Sequence, residues 1–146
     1  MSLSRFVEAQ EPTYEAALAE LQAGRKRSHW MWFVFPQLRG LGPSPMAQRY
    51  GVTSLTEAEE YVEHALLGPR LLECTRAILS IPDRTATEIL GGIDALKLRS
   101  SMTLFAVAAP QEPLFQEVLD RYYDGERDEL TLNLLVTDRK RRPQPE

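Results

Sequence analysis

The sequence has a single cysteine, Cys74, so no intrachain disulfide can staple the fold. Long apolar runs are missing as well. The longest strictly apolar stretches, residues 30–35 and 104–109, hold six residues each, against the roughly 20 that a membrane-spanning helix requires. The opening residues Met1-Ser2-Leu3-Ser4-Arg5 lead to Glu8 and Glu11 without an apolar core, so no secretory signal is expected. A cytoplasmic location is the default these absences leave. The most informative absence is of acid: between residues 21 and 56 there is no Asp or Glu, while Arg25, Lys26, Arg27, Arg39, Arg49 and His29 all lie there.

What is present is ordinary for a folded domain. With 146 residues, 43% hydrophobic and 26% charged, the chain can bury one core, and a wholly disordered chain is excluded. The net charge of −4 argues against general nucleic-acid binding. Glu57, Glu59, Glu60 and Glu63 follow the acid-free stretch, and Arg139-Lys140-Arg141-Arg142 with Pro143 and Pro145 ends the chain. Residues 1–136 are expected to form one domain, carrying thirteen bases and nineteen acids, and 137–146 a basic, flexible tail. An anion is held best where no carboxylate competes for the cations, which makes the acid-free stretch the lead. The competing account is a surface loop whose bases pair with the acidic helix after it.

Hydrophobic period reads as helix nearly throughout. Pro12 begins one, with Tyr14, Ala17, Leu18 and Leu21 at helical spacing, and Gly24 stops it. Ser28 is a candidate cap for the apolar piece 30–35, which Pro36 ends; residues 37–51, rich in Gly and Pro, read as loop with one turn at 46–50. Ser54-Leu55-Thr56-Glu57 is a capping box before Ala58, Tyr61, Val62 and Ala65, and Gly68-Pro69 should break that helix. The next runs to Ile81. Thr85-Ala86-Thr87-Glu88 repeats the capping-box pattern. Asp94 is a candidate cap for a helix with Leu98, Met102, Phe105, Ala106 and Ala109 inward, and Pro113 starts another through Tyr122. Asp128 or Thr131 opens a last piece, 130–136, whose Thr and Val content admits a strand. The expectation is an all-α fold: a compact single-domain bundle of about six or seven short helices, with a minor strand element admitted.

Most unusual is Arg25-Lys26-Arg27-Ser28-His29-Trp30-Met31-Trp32-Phe33-Val34-Phe35-Pro36-Gln37, where both tryptophans crowd the basic cluster. Indole faces stack on flat rings, guanidinium groups bind phosphate, and imidazole can move a proton. Arg25, Lys26, Arg27, His29, Trp30, Trp32, Gln37 and Ser44 are therefore the candidate ligand-binding residues, for an anionic or nucleotide-like small molecule. Burial preference alone favours the alternative, a buried apolar helix with its bases at the surface. Asp94, Lys97 and Ser101 share one helix face, so a lysine-activated serine is conceivable. With His29 they make up the catalytic candidates, although a helix-rim ion pair explains Asp94 and Lys97 as well. His64 reads as a surface cation at a helix end, and Cys74 as an inert core thiol. Two histidines and one cysteine, at 29, 64 and 74, lack ligand spacing, so no metal is expected. Gly40-Leu41-Gly42-Pro43-Ser44 matches neither the P-loop nor the dinucleotide fingerprint, so no cofactor is called for.

The run from His29 to Gln37, continuing into Gly40-Leu41-Gly42-Pro43-Ser44, resembles the signature of domain of unknown function 1810. Arg5-Phe6, Ala9-Gln10, Leu67-Gly68-Pro69-Arg70-Leu71, the stretch 94–105, and Gly125 with Asp128 and Thr131 extend the resemblance over nearly the whole chain. It implies a compact, mainly helical fold and no established activity. Members often carry the automatic label calpastatin, which this chain does not support: such inhibitors are disordered and repetitive, and this sequence holds a full set of amphipathic helices. Residues 97–131 are also similar to helices of a family acting on NAD-derived ADP-ribose compounds. Two functions of different class follow. One is a binding or accessory domain that uses segment 25–44. The other is an enzyme on a phosphorylated, nucleotide- or ADP-ribose-like molecule, which requires segments 25–44 and 94–103 to meet.

Overall fold

The computed structural model describes residues 3–141, and every regular element among them is helical. In chain order these are α1 (Ser4–Gln10), α2 (Tyr14–Gln22), α3 (Met31–Val34), α4 (Pro45–Tyr50), α5 (Leu55–Glu63), α6 (Leu67–Leu79), α7 (Ala86–Leu90), α8 (Gly92–Ala108), α9 (Leu114–Tyr123) and α10 (Glu129–Arg141). The count exceeds the six or seven expected because α1, α3 and α4 are pieces of seven residues or fewer, too short to display an apolar period. Among the described residues there is no strand, only an isolated parallel bridge between Leu38 and Val52.

The segment read as a possible strand, 130–136, lies within α10. Asp128 accepts from the Thr131 backbone N–H (3.0 Å) and hydroxyl (2.6 Å), and the buried pair Thr131 and Leu135 is spaced four residues apart on one helical face. That packing overrides the β preference of Thr and Val. The helix continues to Arg141, into the stretch expected to be a tail; residues 142–146 lie outside the described residues.

Two other expected boundaries moved. Gly68-Pro69 does not end a helix but sits in the first turn of α6, where proline's missing N–H costs nothing. A Cβ on Gly68 would lie 2.1 Å from the Val62 carbonyl oxygen, so only glycine allows α5 and α6 to meet there. His64 Nδ1 accepts from the Leu66 (3.1 Å) and Leu67 (3.2 Å) N–H groups, and so serves the head of α6. Ala65, expected to face inward, is exposed. The Thr85–Glu88 capping box is formed in full on α7.

α8 is the central helix, packed against α5, α7, α9 and α10, and is buried on several faces through its middle. Leu98, Met102, Phe105, Ala106 and Ala109 lie in the core as expected. A line of rings crosses the domain: Phe6 of α1 meets Tyr61 of α5 edge-on (centroids 5.2 Å apart), Tyr61 meets Phe105 of α8 (5.3 Å), and Phe105 meets Phe115 of α9 (5.7 Å). Such pairs add about 0.5–1.5 kcal/mol each beyond area burial. Cys74 is buried, and burial pushes its thiol up to about 12, fitting the inert thiol expected.

Candidate functional site

Gly24, at φ 78°, closes α2, and the Arg25 N–H returns to the Glu20 carbonyl (3.0 Å). The Glu20 carboxylate then gathers the loop beyond. It accepts from the Arg27 N–H (2.6 Å), the Ser28 N–H (2.9 Å) and hydroxyl (2.6 Å), and the Trp30 indole Nε1–H (2.9 Å). Burial works to raise the Glu20 pKa, but the donated hydrogen bonds outweigh it and hold the carboxyl at about 2. Ser28 therefore serves Glu20, and α3 begins without a side-chain cap.

Lys26 points inward between these contacts. Its N–H donates to Ile89 O (2.8 Å) and its ammonium to Ser28 O (2.6 Å), and the ammonium lies 3.0 Å from Asp94 Oδ2. Asp94 does not cap α8; Gly91, at φ 88°, holds that position, and Asp94 stands in the first turn, where the helix dipole favours it. Lys97 reaches the same carboxylate at 3.6 Å and lies over the Trp32 ring, 4.4 Å from its centroid. A continuous array, Lys26–Asp94–Lys97–Trp32, thus brings segment 25–44 against α8.

Between Trp32 and α4 lies a cleft whose polar rim is Gln37 and Lys97 and whose walls include Leu41, Gly42 and Tyr50. Its free space is about 10 Å³, room for a water and well below the several hundred Å³ of ordinary small-molecule pockets. Its far wall is fixed from behind. Arg5 holds Glu57 at 2.7 and 3.2 Å and donates to the Arg49 (3.0 Å) and Gly51 (2.8 Å) carbonyls. Glu57 completes only half of its capping box: its N–H bonds Ser54 Oγ (3.1 Å), while its carboxylate takes the Thr53 N–H (3.0 Å) and Arg5. Burial tends to raise the Glu57 pKa, but Arg5 and Thr53 bring it below the usual carboxylate range. The near wall is fixed at the Phe33 carbonyl, which accepts from Gln10 Nε2 (2.6 Å) and Tyr61 Oη (3.2 Å).

The candidate residues are thus distributed unevenly. Lys26, Asp94, Lys97 and Trp32 are joined, and Gln37 lines the cleft. Trp30 is wholly buried, and the Ser44 hydroxyl accepts from the Ala47 N–H (3.1 Å) as the cap of α4. Arg25, Arg27 and His29 are exposed, with no side-chain partner among the described residues. Ser101 is wholly buried, its Oγ has no hydrogen-bond partner among the described residues, and the Lys97 ammonium turns to Asp94 and Trp32, so no Ser–Lys pair forms. Glu20, Gln10, Tyr61 and the Arg5–Glu57 pair were not anticipated. Glu20 alone gave a signal, as the carboxylate bordering the acid-free stretch.

Among the described residues no three His, Cys, Asp or Glu side chains gather as metal ligands, and no helix is long and apolar enough to cross a membrane. The fold and site define an all-α domain with a basic-aromatic segment docked on its central helix. The chain belongs to the family described as protein of unknown function (DUF1810), whose model matches residues 1–135. It is similar to the conserved hypothetical protein Rv1873 from Mycobacterium tuberculosis, solved by crystallography, with 56% identity and a TM-score of 0.91 over 92% of this chain and 96% of that one. No curated protein matches the chain.

Proposed function

We propose that the chain is a binding domain for an anionic small molecule, received where segment 25–44 meets α8, at the Trp32–Lys97 rim. The observation that carries this reading is the Lys26–Asp94–Lys97–Trp32 array. Two ammonium groups share one carboxylate, leaving a net positive charge beside an indole and the Gln37 amide. Binding is favoured over catalysis because Asp94, Lys97 and Ser101 do not form a catalytic arrangement. Asp94 is held in two ion pairs, and Lys97 makes no contact with Ser101. The meeting of the two segments is also what an enzyme on a nucleotide- or ADP-ribose-like substrate requires, and that remains the second reading. A cytoplasmic setting belongs to the same proposal and fits a lone, buried thiol.

The test is a thermal-shift screen with nucleotides, ADP-ribose, sugar phosphates and phosphate. A ligand at a hundred times its Kd adds about 2.7 kcal/mol, several degrees for a domain of this size. One class should stabilise the wild type and lose its effect in Trp32→Ala and Lys97→Met. Stabilisation that persists in both variants contradicts the site, and turnover of the ligand moves the reading to the enzyme.

A further inference from the structure

Burial alternates along residues 25–30. Arg25, Arg27 and His29 are exposed, Lys26 and Ser28 are half-buried, and Trp30 is fully buried. The inward members are all fastened: Lys26 to Asp94 and Ser28 O, Ser28 and the Trp30 indole to Glu20. The backbone is fastened too, through the Arg25, Lys26, Arg27 and Ser28 N–H groups. What remains outward is an edge that carries the Arg25 and Arg27 guanidinium groups and the His29 ring, on a backbone fastened at each residue from 25 to 28.

Arg84, from the loop before α7, adds a further charge. Its side chain lies against Gly24, with Nε 3.7 Å from where a Cβ there would stand. Glu20 and Glu88 both hold backbone donors, and the Arg84 charge also acts on Glu88. Glu20 is filled by loop donors, and Glu88 accepts from the Thr85 N–H in its capping box. Exposed guanidinium groups carried on a fastened loop suit an anion of several phosphoryl groups, since each can hold one phosphoryl bidentately.

We infer that Arg25, Arg27 and Arg84, with His29, form a binding edge for an oligophosphate chain of two or three phosphoryl groups. This rests on the anionic-ligand reading above and deepens it by naming a chain of phosphoryl groups as the anionic part of the ligand. Glu20 is a positioning residue: it holds the loop backbone at the Arg27 and Ser28 N–H groups.

Inorganic tripolyphosphate is the probe, titrated by calorimetry at low salt and again at 0.3 M NaCl. Saturable binding that weakens with salt is expected, together with a loss of about tenfold in each of Arg25→Gln and Arg27→Gln and more in the double variant. These side chains are exposed, so the melting temperature should not change. ATP and ADP distinguish the source. Affinity equal to that of tripolyphosphate identifies a free oligophosphate, and a gain that Trp32→Ala abolishes identifies a nucleotide; either supports the edge. No saturable binding, or binding unchanged in Arg25→Gln/Arg27→Gln, overturns the inference while leaving the cleft to stand on its own test. Tighter binding of a single-stranded RNA oligomer than of tripolyphosphate also overturns it, in favour of a nucleic-acid partner.

Discussion

The Lys26 ammonium lies 3.0 Å from the Asp94 carboxylate, with only 9% and 19% of the two side chains exposed. This pair, 68 positions apart in the chain, fixes the basic-aromatic loop to the central helix. Removing one member strands the other in a largely dry setting, which costs more than forming the pair gains.

Asp94→Ala should therefore destabilise the domain by about 2 kcal/mol, above the ~1 kcal/mol of a lost helix cap. Urea unfolding at pH 7 measures it. A Lys26→Met change should cost much less in the Asp94→Ala background than in the wild type, since the carboxylate it pairs with is already gone.

The two tryptophans should separate cleanly. Trp30 is fully buried with its indole N–H on Glu20, so Trp30→Ala should cost about 3–5 kcal/mol. Trp32 is half-buried at the rim, so Trp32→Ala should cost much less and act mainly on ligand binding. Chemical denaturation of both variants tests the contrast, and equal losses would contradict it.

Glu20 predicts a pH dependence. Its folded pKa is about 2, against an ordinary 4.5, so the stability it contributes is present above pH 4.5 and is lost as the pH falls toward 2. Glu57, also depressed, acts in the same direction. Glu20→Gln should flatten the fall of stability across pH 4.5 to 2, read from melting temperatures. An unchanged slope would show that the carboxylate does not organise the loop.

Gly51 is required by packing. A Cβ there would lie 2.6 Å from Ala47 O and 2.8 Å from Arg39 Cα, both backbone atoms. Gly51→Ala should cost about 1–3 kcal/mol in a denaturant titration. Gly92→Ala, where a Cβ meets nothing within 4 Å, is the control and should not destabilise.

Helices with two or more turns were legible because their apolar stripes repeat. The inward faces of α8 and the Thr85–Glu88 box follow directly from residue order. Residues 130–136 were ambiguous because Thr and Val lean toward strand, and only the packing of Thr131 and Leu135 decides. The functional loop was half legible. Its composition marked it, but the acid-free stretch does not remain acid-free in space, since Glu20 and Asp94 fold onto it from outside. Arg5–Glu57 and Gln10–Tyr61 join residues 52 and 51 positions apart, and no local pattern encodes such pairs.

The most direct test of the Trp32–Lys97 rim uses the two indole N–H signals of the chain in a ¹H–¹⁵N spectrum, assigned with Trp32→Phe. Titration with the ligand class found by thermal shift should move the Trp32 indole signal saturably and leave that of Trp30, buried and bonded to Glu20, nearly still. A Trp32 signal that stays fixed while the ligand saturates the protein would contradict the account.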